Sequence, residues 1–254
     1  MKRKLGSGLI SHYRKSRDLV ILRFANHEIA ESESPDCSLS PVPCNLCSVP
    51  RSPSFAGVVL AAGASTRMGQ DKALLPYAGH TFLAGAIRLL ENECDFVVVV
   101  TGHNTKLLEP VIYENPAYLA QNPQPELGQF SSLRLGLQAV LERGRDTACV
   151  TLVDRPPALP STLLRVKERF LETSPDTTWA VVPQFNSKHG HPVIFAREMI
   201  EVFLRADPAS SARDIEHQYQ NRIEYVDVDD PRVIMNINTP EDYSALSRAP
   251  QTTE

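Results

Sequence analysis

The chain has 254 residues, 42% of them hydrophobic and 22% charged, a composition that excludes a purely disordered protein and suits one large or two small domains. Its 26 Lys and Arg against 30 Asp and Glu give a formal charge of -4, too little positive charge for a general grip on nucleic acid. No run approaches the roughly 20 apolar residues that a bilayer crossing needs, so neither nucleic acid nor membrane is an expected partner.

Residues 1–54 carry eight Lys or Arg against five Asp or Glu, and the remainder carry eighteen against twenty-five, so a net +3 segment precedes a net -7 one. From Glu31 to Ser54 the text is dense in Ser, Pro and Cys and offers few apolar side chains to offset the entropy of ordering. Residues 1–54 therefore read as a disordered leader, or as the product of a start site assigned too far upstream, and 55–254 as the folded domain. Cys37, Cys44 and Cys47, with His27 as a fourth ligand, invite a zinc or iron-sulfur reading. Without a second paired ligand motif they are better read as part of the leader. Lys2, Arg3 and Lys4 are followed by polar text instead of an apolar core, so no secretory signal is expected. Five scattered cysteines suit a reducing cytoplasm.

After Phe55, short β-branched runs alternate with segments of helical period. Strands are predicted over Gly57 to Ala61, Phe96 to Thr101, Tyr118 to Gln121, Ala148 to Val153, Trp179 to Pro183, Pro192 to Phe195 and Ile223 to Val228. Helices are predicted over Thr81 to Asn92 and Ser131 to Arg143, each with one apolar stripe, and over Ser161 to Leu171 and Ala196 to Arg205. A last helix starts at Thr239-Pro240-Glu241-Asp242, which supplies a cap, a first-turn proline and two acids at the positive end of the dipole. The alternation predicts an α/β fold: a three-layer, Rossmann-like, mostly parallel sheet with helices on both faces.

The first predicted strand runs into Leu60-Ala61-Ala62-Gly63-Ala64-Ser65, and Arg67 and Lys72 follow at once. A turn of small residues lets backbone amides approach an anion, and two nearby cations make it a phosphate cradle. It is neither the P-loop pattern nor the glycine pattern of dinucleotide folds, and the acidic residue a dinucleotide ribose would need about 20 positions on is absent.

These residues carry a specific resemblance. Leu-Ala-Ala-Gly-x-Ser-x-Arg-Met-Gly-x-x-Lys over 60–72 resembles the signature of the molybdenum cofactor nucleotidyltransferases, the MobA/MocA-like molybdopterin cytidylyltransferases and guanylyltransferases. The similarity continues in family order through Gly128-Gln129-Phe130-Ser131-Ser132-Leu133-Arg134, Val153-Asp154-Arg155-Pro156, Gly190-His191-Pro192 and Asn236-Ile237-Asn238-Thr239-Pro240-Glu241-Asp242, covering about 55–247.

The resemblance implies transfer of a nucleotidyl group from a nucleoside triphosphate to the phosphate of molybdopterin or molybdenum cofactor, with pyrophosphate released and a fold of the nucleotide-diphospho-sugar transferase type. It implies that Leu60, Ala61, Ala62, Gly63, Ala64, Ser65 and Arg67 hold the triphosphate, that Lys72 bridges the α-phosphate and the acceptor, and that Ser131 and Ser132 line the nucleoside side. Arg134 and His191 fall to the acceptor, and Asp154 to a magnesium ion, with Asn236 and Asn238 standing where some relatives carry aspartates. Lys72, Arg67 and Asp154 are the implied catalytic groups. Leu-Ala-Ala-Gly leans toward CTP and Asn-x-Asn toward GTP, and CTP is favoured because the loop lies nearer the base. A molybdoenzyme or chaperone client is implied as the recipient of the product. Two alternatives use the same half-site: transfer to a sugar or alditol phosphate, and a non-catalytic nucleotide-binding accessory protein.

Overall fold

The computed structural model describes residues 53–248 except Ala64, Thr66, Arg67 and Pro175. The expectations for residues 1–52, the cysteine cluster among them, and for Ala64 and Arg67 lie outside the described residues. In chain order the elements are β1 (Phe55–Leu60), β2 (Pro76–Tyr77), β3 (His80–Thr81), α1 (Phe82–Glu91), β4 (Phe96–Thr101), α2 (Thr105–Glu114), β5 (Ala117–Gln121) and α3 (Gln129–Glu142). They continue with β6 (Thr147–Leu152), α4 (Pro160–Glu172), β7 (Ala180–Phe185), β8 (Lys188–His189), β9 (Val193–Ala196), α5 (Arg197–Arg205), α6 (Ala212–Gln218), β10 (Ile223–Asp227) and α7 (Pro240–Arg248).

Among the described residues the main sheet has the order β10-β7-β9-β6-β1-β4-β5, with β8 paired to β7. β1 lies parallel to both β4 and β6, and β4 is parallel to β5. The strand runs are apolar at successive positions because both faces are covered. Val59, Ala61, Val97 and Val99 meet Leu83, Ile87 and Leu90 of α1, Leu108 and Ile112 of α2, and Leu163 and Val166 of α4. The alternate positions Ala56, Val58, Val98, Val100 and Val150 meet Leu133 and Leu137 of α3 and Met199, Ile200 and Phe203 of α5. These are the three layers expected. Each fully buried Val or Leu contributes about 1.5–3 kcal/mol before entropy is counted.

Gly136 sets the distance between α3 and the sheet. A β-carbon there would lie 2.6 Å from Val58 Cγ1 and 3.1 Å from Val100 Cγ2, so only glycine lets the helix approach this closely.

The chain departs from the expected pattern in five places. The strand expected at 192–195 forms, but β9 runs antiparallel to both β6 and β7. α2 was not foreseen because Pro110 interrupts its pattern, yet the helix contains it. α6 was also missed: it has seven residues, of which Ile215 is the buried one. The small hairpin β2-β3 and the two-residue β8 were too short to read. No helix of the described residues is long and apolar enough to cross a membrane.

The connections set where a ligand can sit. From β1 the chain moves through β4 to β5, then returns to the other side of β1 as β6. The order therefore reverses between β1 and β6, and their carboxyl ends border a crevice where ligands collect in open α/β sheets.

Candidate functional site

The crevice beyond β1 and β6 is a cleft of about 520 Å³, lined among others by Leu60, Ala62, Gly63, Ser65, Lys72, Ser132, Asp154 and Asn238. These residues come from positions between 60 and 238, and the sheet brings them together. Ala61 is fully buried, and its carbonyl accepts a hydrogen bond from Asn104 Nδ2 at 2.9 Å. It shapes the cleft from behind and is not among the lining residues.

Ser65, Asp71 and Lys72, which follow β1, are held from several sides. Ser65 has φ of 48°, an uncommon left-handed conformation for a residue with a side chain, and its Oγ accepts from the Lys72 amide at 3.1 Å. Asp71 caps the short turn Lys72–Leu74 by accepting from the Ala73 amide at 2.9 Å. Its other oxygen accepts from Asn104 Nδ2 at 2.6 Å, and Asn104 Oδ1 accepts from the Gly102 amide at 3.0 Å. Asn104 thereby ties the loops after β1 and β4 to each other. Lys72 Nζ, held on this turn, donates to Asn238 Oδ1 at 2.8 Å.

The opposite wall comes from the segment after β10. Ile237 donates its amide to the carbonyl of Asp154 at 2.7 Å, which brings Asn238 beside the end of β6. The Asp154 side chain is 39% exposed, and its Oδ1 lies 3.4 Å from Arg155 Nε. The Arg155 side chain is 10% exposed, and this partial burial lowers its affinity for the proton; it donates to the Val233 carbonyl at 2.7 Å and to Asn236 Oδ1 at 2.8 Å. Asn236 is exposed and is not among the lining residues; its amide oxygen serves Arg155. Asp242 accepts from the amides of Asn238 and Thr239, each at 2.9 Å, and these bonds hold its carboxyl below the usual range. It is a first-turn helix acid, as its position suggests.

Gly128, with φ of 94°, starts α3 without a side-chain cap, and Gly128 and Gln129 line the cleft at the positive end of that helix. Asn122 Nδ2 donates to Ser131 Oγ at 2.8 Å and to Ser132 Oγ at 2.9 Å. Ser132 lines the cleft, and Ser131 turns back to the Gly128 carbonyl at 2.8 Å. Arg134 departs from its expected direction: it donates to the Leu204 carbonyl at 2.9 Å, lies over the Phe130 ring, and lines neither cleft.

A second cleft of about 430 Å³ shares Leu60, Gly128, Gln129 and Leu152 with the first. His191 lines it, with Nδ1 at 3.3 Å from the Val150 carbonyl. Burial, with the nearby Arg155 charge, pushes its pKa down to about 3, so the ring is neutral. The carbonyl can only accept, so Nδ1 carries the proton and Nε2 is left as an acceptor.

Sequence reasoning missed Asp71, Asn104 and Asp230. Asp230 is 1% exposed and accepts from the Leu159 amide at 2.7 Å, Thr162 Oγ1 at 3.0 Å, and the Arg232 amide and Nε at 3.1 and 2.9 Å. It joins the start of α4 to the segment that leads to Asn238. An Asp directly before Pro231 was a readable capping signal.

The metal-binding capacity of the cleft is modest. Among the described residues there is no group of three or more His, Cys, Asp or Glu that could hold an ion. Asp154 and Glu126 are the carboxylates lining it, with the amide oxygen of Asn238 among its neutral oxygens; Glu126 lies at the exposed rim, 3.6 Å from His103. So few carboxylates with neutral oxygens suit magnesium, which keeps several waters and takes other ligands from phosphates.

The MobA-like NTP transferase domain family matches residues 57–223. The molybdenum cofactor guanylyltransferase of Xanthomonas euvesicatoria is 30% identical over 194 residues, 76% of this chain and 94% of that protein. The molybdenum cofactor cytidylyltransferase of Escherichia coli K12 is 24% identical over 190 residues, 73% of this chain and 92% of that protein. Among solved structures, Rv0371c from Mycobacterium tuberculosis superposes with a TM-score of 0.66 at 26% identity, covering 76% of this chain and 97% of that one.

Proposed function

The chain belongs to the MobA-like NTP transferase domain family, and from that membership we propose that it transfers a nucleotidyl group from CTP or GTP to the phosphate of molybdopterin or molybdenum cofactor. An acceptor phosphate oxygen attacks the α-phosphorus, the bond from that phosphorus to the bridging oxygen breaks, and pyrophosphate leaves. The observation that carries the reading is the meeting of Gly63, Ser65, Lys72, Asp154 and Asn238 in one crevice that continues into a second cleft. A triphosphate in the first and an acceptor in the second would meet along the shared wall of Leu60, Gly128, Gln129 and Leu152.

The work asked of the protein is positional and electrostatic. Lys72 places its ammonium where negative charge builds up between donor and acceptor, and Asn238 holds it until the phosphates bind. Gly63 and Ser65 present the loop to the phosphates, and Arg67 adds a second cation. Asp154 would hold a divalent cation, expected to be magnesium, and the Asn238 amide oxygen would join it once Lys72 Nζ has turned to the phosphates. When bound, that ion supplies charge neutralisation along the triphosphate. Asn236 is assigned to holding Arg155, and through it the wall behind Asp154.

The names of the relatives include both bases, and Leu60-Ala61-Ala62-Gly63 makes CTP the first to try. The experiment is pyrophosphate release from each of the four nucleoside triphosphates in magnesium, with and without molybdopterin or molybdenum cofactor. Release from CTP or GTP that requires the acceptor is the expected result. Triphosphate binding with no release in the presence of either acceptor would overturn the proposal.

A further inference from the structure

We propose that Glu216 of α6 selects the heterocycle of the acceptor, its carboxyl taking two adjacent N–H donors on the edge of a flat ring seated in the second cleft. This rests on the reading that the acceptor is a pterin phosphate. The cleft, about 430 Å³, has the size of a small-molecule site, and its walls are mostly apolar: Phe130, Leu133, Val150, Leu152 and Phe195 among them. Such walls suit a planar ring and leave its polar edge to the few polar groups present.

Those groups have unequal freedom. Ser211 Oγ donates to Asp214 Oδ2 at 2.7 Å and accepts from the Asp214 amide at 3.2 Å, so it is engaged in its own helix cap. His191, neutral and donating through Nδ1, offers only the acceptor Nε2. The Glu216 carboxyl makes no hydrogen bond or ion pair with any described residue, and only the backbone carbonyl of Glu216 accepts, from the Tyr219 amide. Arg213, one turn earlier on the same helix, relieves its charge only in part, and burial lifts the carboxyl to about 7. Tyr225 of β10 senses the same charge, which together with its own burial raises its phenol.

Gln129, Ser210 and Arg213 line the same cleft, and among its polar groups Glu216 and His191 are acceptors with unmet capacity, so a ligand edge that satisfies them must bring donors. A carboxylate has two oxygens spaced for two parallel N–H bonds, the stronger class of hydrogen bond. The 2-amino-4-oxo ring of a pterin carries such a pair, its ring N–H beside its amino group. The 2,4-dioxo ring of lumazine keeps the shape and replaces the amino donor with an oxygen. A ring held here leaves its phosphate-bearing side free to reach the first cleft past Gly128 and Gln129.

The test measures binding of two fluorescent probes, 6-hydroxymethylpterin and lumazine, to the full chain and to Glu216→Gln, above neutral pH where Glu216 is ionised. Replacing a charged bidentate contact is expected to cost about tenfold or more in affinity. The wild-type chain should prefer the pterin by that factor, and Glu216→Gln should lose most of the preference while binding triphosphate as before. No pterin binding, equal binding of the two probes, or a preference that survives Glu216→Gln would overturn the inference. The transfer reading fails separately. Selection of the pterin with no pyrophosphate release from any triphosphate leaves the Glu216 site standing and removes the transferase. Release with an unchanged acceptor KM in Glu216→Gln does the reverse.

Discussion

Replacing Asp230 by Ala tests the join that holds the two walls of the cleft together. The carboxylate is 1% exposed and accepts four hydrogen bonds, from the amides of Leu159 and Arg232, from Thr162 Oγ1 and from Arg232 Nε. The Arg232 side chain is 15% exposed, so its charge is left largely without solvent when its partner is gone. Breaking a buried pair by removing one member costs about 3–5 kcal/mol, most of it the penalty on the charge that remains. For a folded part of this size that is a fall of roughly 6 to 20 °C in Tm. Urea unfolding followed by circular dichroism at neutral pH measures it directly, as a lower midpoint at unchanged slope. Asp230→Ala with Arg232→Met should recover part of the loss, because no unpaired charge is then buried. A loss under about 1 kcal/mol, or a double variant as unstable as the sum of the single ones, would refute the argument.

Four further outcomes follow from the geometry. Lys72→Ala should lower kcat for pyrophosphate release by about two to three orders of magnitude with an unchanged far-ultraviolet spectrum; a wild-type rate would remove Lys72 from the mechanism. Asp154→Ala should raise the magnesium concentration at half-maximal release about tenfold, and an unchanged magnesium dependence would show that the ion is held elsewhere. Gly136→Ala places a β-carbon 2.6 Å from Val58 Cγ1. Overpacking of about 1–3 kcal/mol should outweigh roughly 1 kcal/mol of helix propensity, giving a lower urea midpoint that Val58→Ala partly restores. Glu216 carries a pH dependence whose sign is definite. Its folded value is raised from the ordinary 4.5 to about 7. The protonated form therefore favours folding, and stability is lost as pH rises from 4.5 through 7, by up to about 3 kcal/mol at 1.36 kcal/mol per pH unit. Glu216→Gln should raise the urea midpoint above neutral pH and leave it unchanged near pH 4; a lower midpoint above neutral pH contradicts the assignment.

The elements legible in the sequence were those whose residues carry their own instructions. β1, β4 and β6 are short runs of apolar and β-branched residues with no charged residue among them, because both of their faces are buried. α1 and α3 have a stripe of helical period, and α7 has its capping signals in order. α2 was lost to Pro110, since a proline in a helical pattern reads as a stop unless packing pays for the missing hydrogen bond. The antiparallel course of β9 leaves no trace in its own residues, because a strand buried on both faces looks the same in either direction.

The candidate site divides in the same way. Gly63, Ser65, Lys72 and Asp154 were found because each sits in a short local pattern at the end of a predicted strand. Asn236 and Asn238 looked equivalent in the chain, separated as they are by one residue. Only the packing of Arg155, which takes Asn236 and leaves Asn238 beside Lys72 in the cleft, tells them apart. Arg134 was read as facing the acceptor, and its long side chain instead crosses to the Leu204 carbonyl of α5.

The sequence by itself thus determined the alternation of strands and helices, the phosphate-sized turn after β1 and the family, because hydrophobic period and short motifs are local properties of the chain. The tertiary structure decided which polar groups share a space. Asn104 reaches Asp71, Asp230 reaches Leu159, and Glu216 reaches the wall beside His191 across gaps in the chain that no local pattern records. Whether a carboxyl is a capping group, half of a buried ion pair or an unsatisfied acceptor depends on what solvent and partners surround it, and those are fixed only when the sheet order is set.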